Sequence, residues 1–358
     1  MNAPMSEQPM MYLAGMGMIT PIGANTAMTA AAAKAEVSAY QASRFHTQGG
    51  RQPMTLTRVP RAVFDPMLDK IDQGRYQSAQ YDRIIIMAII ALREAVAGHS
   101  IQKPVPLILA TPEERPDVSY VPTELLIANL ANQKDLPLQT GVARCQPSGR
   151  AAGIQGLALA QHFLTHQKAE FVLIGGSDSY WDASRCAALD QDGRVLAPHV
   201  KDGFAPGEGA GFLLLTGNPQ RAIARNGYIV GLSAPGSSDE PGHLYSDDTY
   251  RGDGLDQAFK LALRNYTGAP IRTIYSSMNG EHHWGKEYGV AFVRNRKYFH
   301  DPVNVEHPAE GYGDLGAATA PVLIALAAND LLNHQRGPAT HLVYSSSDGP
   351  ARAGLGGR

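Results

Sequence analysis

Two stretches of this chain recur at nearly the same spacing. Ala91-Leu92-Arg93 stands ahead of the strand pattern ending at Thr111, and Ala262-Leu263-Arg264 stands ahead of Thr273-Ile274-Tyr275-Ser276, an offset of 171 residues (262 − 91). Phe171-Val172-Leu173-Ile174-Gly175-Gly176-Ser177-Asp178 is answered by His341-Leu342-Val343-Tyr344-Ser345-Ser346-Ser347-Asp348, an offset of 170 (347 − 177). Between these markers, the small-residue helix after Gly153 has its counterpart in Gly316-Ala317-Ala318 and the apolar residues that follow. Shared offsets with a shared helix-then-strand order describe a duplicated α/β unit. The chain of 358 residues, 44% apolar, is long enough for one large core or two fused ones. We divide it into an N-terminal half, 1–216, and a C-terminal half, 217–358, fused in one globular unit.

Composition narrows the partners. A formal net charge of -2 gives no overall field that would draw nucleic acid or an anionic membrane. Cys145 and Cys186 are too few for a disulfide framework, so reduced thiols and a cytoplasmic location are expected. The opening residues lack the charged-then-apolar pattern of a secretory leader, and no apolar run reaches membrane-spanning length.

Taken in order, Tyr12 to Gly23 reads as a buried strand entering a Gly/Pro turn, followed by an Ala-rich helix. Gly15-Met16-Gly17 is a weak nucleotide signal and reads as a tight turn. Residues 46–80 read as an irregular polar excursion. A helix through Ile84 to Arg93 precedes the strand Pro106 to Thr111. Ser148 to Ala160 is a helix entered through Gly and Ala, which lets other backbone approach its first turn, where free N–H groups and the positive end of the dipole favour anions or an activated nucleophile. The residue standing there is Arg150, whose guanidinium stays protonated and has no nucleophilic role.

The duplication, Gly15-Met16-Gly17-Met18-Ile19-Thr20-Pro21-Ile22-Gly23 and Asp202-Gly203-Phe204-Ala205-Pro206-Gly207-Glu208-Gly209-Ala210-Gly211 together resemble the β-ketoacyl synthases of the thiolase superfamily. Weaker agreement extends over most of the chain except 46–80. The resemblance implies a duplicated αβαβα sandwich with two mixed five-stranded sheets, paired as a homodimer or as a heterodimer with a related subunit, and it makes an acyl carrier protein a possible partner. The pairing edge would run from Leu138 to Cys145.

That family condenses acyl thioesters with a cysteine at the start of the first central helix and two histidines from the second half. Counted back without gaps from Gly175-Gly176, the family's Thr-Ala-Cys-Ala-Ser-Gly pattern falls on Ser148-Gly149-Arg150-Ala151-Ala152-Gly153, so the cysteine position is Arg150. The Asn-Ala-His-Gly-Thr motif puts its histidine at Asn279, and the Gly-His-Thr-Leu-Gly motif puts the second at Gly313. The lysine position falls on Pro308 and the C-terminal gate on Ser347 to Pro350. A thiolate must attack, and imidazoles must stabilise the developing oxyanions. Arg, Asn and Gly cannot do this. The resemblance therefore implies a degenerate site in a protein that has lost condensing activity and serves as an accessory or partner subunit.

An alternative register, with a gap of five residues, places Cys145 at the nucleophile. An active acyl-thioester transferase would then use Cys145 with His282, His283 or His307, although Pro147 would fall inside the helix. No His, Cys or Asp group has recognised zinc spacing, and no cofactor or metal is expected. Arg294 to Lys297 is either a solvated helix face or a docking patch for an acidic carrier protein. Thr111-Pro112-Glu113-Glu114-Arg115-Pro116 replaces a Gly-rich stretch of the family, so the elements that cap an acyl tunnel are expected to be trimmed. At the degenerate site, Arg150 is expected either to pair with Glu281, Asp314 or Asp348 in an ionic plug or to remain solvated.

Overall fold

The structure is a computed structural model that describes residues 11–68, 79–115, 118, 120, 122–333 and 339–358. Strands Leu138–Gln146, Val105–Ala110, Val172–Ser179, Glu208–Thr216 and Met11–Ile19 lie side by side in that order. The first three are parallel, and the last two join antiparallel. Strands Phe299–Glu306, Ile271–Ser276, His341–Ser346, Ala351–Gly357 and Gly231–Leu232 repeat the order and the directions, with Gly236–Asp239 as an extra partner of Ala351–Gly357. The two mixed five-stranded arrays are joined edge to edge where Met11 faces Leu232 and Tyr12 faces Gly231.

Layering follows from which faces are apolar. Val172–Ser179 and His341–Ser346 are buried along their whole length, as strands covered on both sides must be. Between the arrays run two central helices. The first is a short piece, Ala152–Gln155, continued as Leu157–Thr165, and the second is Thr319–Asn333, apolar nearly all round. Helix Ala79–Val96 covers the outer face of the first array, while Asp253–Ala262 and His282–Arg294 cover the second. This is the αβαβα sandwich that the resemblance implies. Near the starts of the central helices, Ala152 and Ala317 pack with Ala110 at the end of strand Val105–Ala110, and Arg150 pairs with Asp314, the residue after Gly313.

Two local expectations are corrected. Gly15 and Gly17 lie within a strand, not in a turn; a Cβ at either would stand 2.0–2.1 Å from the carbonyl oxygens of Ala95 and Ala91, so glycine there admits helix Ala79–Val96 to the sheet. The described residues of 46–80 are more regular than their composition suggests, for a hairpin of Gln41–His46 and Pro53–Leu56 is followed by helix Arg61–Leu68. Its apolar alternation is only Met54 and Leu56, too short to register as a strand, yet both side chains are buried against Tyr180, Leu189 and Phe204. Residues 69–78 of that excursion lie outside the described residues.

Candidate functional site

Arg150 lies in a single 3-10 turn, Gly149–Ala151, at the entrance to the first central helix, and is only 3% exposed. A cation there opposes the helix dipole by about 0.3–1 kcal/mol. Three acceptors offset this: Nη1 donates to Asp314 Oδ2 at 2.7 Å, Nη2 to Asp348 Oδ1 at 2.6 Å and Nε to the Ser346 carbonyl at 2.8 Å. The guanidinium also lies over the Trp284 ring, 4.6 Å from its centroid. Burial works against its charge, but Asp348 and Asp314 outweigh burial and hold its pKa above the ordinary arginine value.

A second buried cation, Arg194, completes the network. Its Nε and Nη2 grip the two carboxylate oxygens of Glu281 at 2.7 and 2.9 Å, and Nη1 and Nη2 reach Asp348 at 2.7 and 3.0 Å. Asp348 thus serves two guanidiniums; although burial pushes its pKa up, Arg150 and Arg194 hold it well below the usual carboxylate range. Asn279 donates to both Glu281 (3.1 Å) and Asp314 (2.9 Å), and Trp284 Nε1 donates to Glu281 at 2.9 Å. Two guanidiniums therefore face three carboxylates, and neutral donors occupy the remaining lone pairs, as buried charges require.

The helix-start N–H groups are occupied as well. Ala151 N donates to Ser347 Oγ at 2.9 Å, Gly316 N to Asp314 Oδ1 at 2.8 Å and Ala317 N to Asp178 Oδ2 at 3.0 Å. Asp178, the repeat equivalent of Asp348, also accepts from Arg185 Nη1 at 2.5 Å. Gly313 has φ +76, and a Cβ there would stand 2.6 Å from the Ala205 carbonyl oxygen. A histidine could be built at that position only by moving backbone.

A cavity of about 340 Å³ opens beside this network, reaching both helix starts at Arg150 and Ala317 and lined by Glu113, Tyr180, Arg185 and Tyr245 among others. Its wall is mixed: Glu113, Arg150, Asp178, Arg185 and Asp348 stand beside apolar Val118 and Leu189. Glu113 sits in the stretch that replaces the family's Gly-rich segment and accepts from the Asp348 and Gly349 backbone N–H groups, both at 3.1 Å. Burial, then Asp348, pushes its pKa up.

The alternative catalytic residues are not gathered here. Cys145 is exposed on the edge strand Leu138–Gln146, paired in register with Leu109, and partial desolvation of its thiol, then Glu124, raises its pKa, away from thiolate. His282 is largely exposed and held by Asp202 at 2.8 Å. His283 packs between Tyr250 and Trp284, and burial lowers its pKa. His307 meets Ser276 Oγ at 3.2 Å and is likewise lowered by burial. None of the four is among the residues lining the cavity. Arg294 pairs with Asp253 at 2.8 Å and Arg296 with Asp301 at 2.7 Å, so the basic run 294–297 is largely neutralised. Among the described residues, no group of three or more His, Cys, Asp or Glu could hold a metal ion, and no helix is long and apolar enough to cross a membrane. Arg194 and Glu113 were missed by sequence reasoning. Neither lies in a motif, and the displaced Gly-rich stretch at 111–116 was the only signal for Glu113.

No protein-family model matches the chain, and no curated protein does. Solved structures do. The ishigamide ketosynthase/chain length factor superposes with a TM-score of 0.75 at 20% identity, covering 98% of this chain and 99% of that one. AntDE:AntF, a type II polyketide synthase acyl-carrier protein in complex with its ketosynthase, gives 0.73 at 13% identity over 98% and 100%. The ketosynthase ApeO in complex with its chain length factor ApeC, from Xenorhabdus doucetiae, gives 0.67 at 13% over 100% and 99%. The chain has the thiolase-like ketosynthase fold.

Proposed function

We propose that this chain is a ketosynthase-like protein without condensing activity, acting as an accessory or partner subunit in acyl or polyketide-type assembly. The observation that carries this reading is Arg150: the position from which a thiolate would attack holds a guanidinium bound to Asp314 and Asp348, and that group forms no thioester. Asn279 and Gly313, at the two histidine positions, support the same reading. Asn279 is committed to Glu281 and Asp314, and Gly313 lacks room for a side chain. The halves 1–216 and 217–358 act as one fused unit, since the Arg150 network takes its members from both.

Partnership is the natural role of such a scaffold. Chain length factors pair with ketosynthases in structures of this fold, and an acyl-carrier protein binds one of them. Strand Leu138–Gln146 ends the sheet, and an edge strand offers unpaired backbone to a second subunit. Incubation with an acetyl or malonyl thioester, followed by intact-mass analysis, tests the loss of chemistry. An unchanged mass is expected, and a stable acyl adduct mapped to Cys145 would replace this reading with that of an active acyltransferase. Light scattering tests the partnership: a stable monomer with no co-purifying subunit would contradict it.

A further inference from the structure

The hairpin of Gln41–His46 and Pro53–Leu56, at the start of the excursion outside the resemblance, carries an unusual surface. From Val37 to Phe64 the chain has four arginines, Arg44, Arg51, Arg58 and Arg61, and no acidic residue. Arg44 and Arg58 are exposed and stand over aromatic rings: Arg44 lies 5.5 Å from the Phe45 centroid, Arg58 lies 4.4 Å from that of Trp181, and the two rings are 5.7 Å apart. Arg61 has a loose partner in Asp65 at 3.8 Å, whereas Arg44 and Arg58 have no carboxylate partner among the described residues. The acid acting on Arg58 is Glu208, whose oxygens are already taken by Arg83, Ser179 Oγ and the Val59 N–H.

This surface is also rigidly held. Met54 and Leu56 are buried beneath the hairpin, Thr55 N donates to the Leu196 carbonyl at 2.7 Å, and Trp181 Nε1 donates to the Thr57 carbonyl at 2.8 Å. Thr57 in turn stands against Gly313, at the floor of the ionic network. Stacked guanidiniums whose backbone is fixed lose little freedom on binding and present their N–H edges to planar acceptors.

We infer that the Arg44–Arg58 face of this hairpin is a docking surface for an acidic segment of a protein partner, whose carboxylates take the two guanidiniums. It depends on the partner-subunit reading only for the partner's existence; the loss of condensing chemistry is tested separately. Nucleic acid is disfavoured because each ring face is covered by its own arginine, which leaves less aromatic surface for base stacking, and because the chain's net charge of -2 supplies no supporting field.

Fluorescence anisotropy with a labelled synthetic Glu/Asp-rich peptide as probe tests this on the full chain. Wild type should bind the peptide, and Arg44→Glu/Arg58→Glu should weaken binding about ten-fold or more. The neutral pair Arg44→Gln/Arg58→Gln should fall between them, and Arg294→Glu, a single charge reversal at an exposed arginine elsewhere, should leave binding near wild type, while Arg58→Glu alone, of the same charge change, should weaken it. Melting curves for each variant confirm that the fold persists. Failure of wild type to bind, an equal loss in Arg294→Glu, or tighter binding of an oligodeoxythymidine of matched charge would overturn the assignment.

Discussion

The starts of the two central helices occupy equivalent places in the repeat and carry opposite charge. At the second, Asp314 and Asp178 accept the Gly316 and Ala317 N–H groups, so anions sit where the dipole favours them. At the first, a buried cation points into the same kind of helix end, and Ser347 supplies the cap. Asp178 comes from the first half and caps the second helix; Ser347 comes from the second half and caps the first. Both starts therefore take a partner from the opposite half, but the second receives an anion that the dipole favours, whereas the first holds a cation that needs Asp314 and Asp348 to offset its burial. The Arg150–Asp314 pair joins them and forms a clasp between the halves.

The largest effect should follow removal of the carboxylate that serves both buried guanidiniums. Asp348→Ala leaves Arg150 short of one acceptor and Arg194 short of two hydrogen bonds, and should cost at the upper end of about 3–5 kcal/mol in urea unfolding. A loss below 1 kcal/mol would mean that these arginines are solvated instead. Ser347→Ala should cost about 1 kcal/mol, since it removes one cap and leaves the ion pairs in place. An effect as large as that of Asp348→Ala would break the distinction between cap and clasp.

The smallest effect concerns pH. Asp348, whose folded pKa is depressed, contributes stability that is fully present above the ordinary carboxylate value of about 4 and is lost as pH falls toward its folded value. Glu113 is the reverse case: its folded pKa is raised, so stability is fullest below about 4 and declines as pH rises through the folded value. Glu113→Gln keeps an acceptor for the Asp348 and Gly349 N–H groups but does not ionise. Its melting temperature should match wild type near pH 4 and modestly exceed it near neutrality. A variant less stable than wild type at neutral pH would show that the carboxylate form is needed to hold the loop at Asp348 and Gly349.

Much of this was legible in the sequence. Offsets of 170–171 residues carried the strand order, and the Gly175-Gly176 register carried Arg150 to the helix start, because strand and helix lengths are fixed by the sheet they must cover. Pairing was legible only in part, since Asp314 and Asp348 do hold Arg150 as expected while the third candidate does not. Glu281 stands two residues from Asn279 and was a natural candidate for Arg150, yet it is bound by Arg194, 87 residues away in sequence. Such a partner follows from loop geometry and not from any local pattern. The hairpin at 41–56 was hidden for a different reason, since its strands are short and one of them is mostly exposed.

A double-mutant cycle between Arg150 and Asp314, read by urea unfolding of Arg150→Met, Asp314→Leu and the pair together, bears most directly on the clasp. The account predicts that each single change is strongly destabilising and that the pair is less so than their sum, by a coupling of about 1–3 kcal/mol. Costs that add to within about 0.5 kcal/mol, or an Arg150→Met protein as stable as wild type, would contradict it.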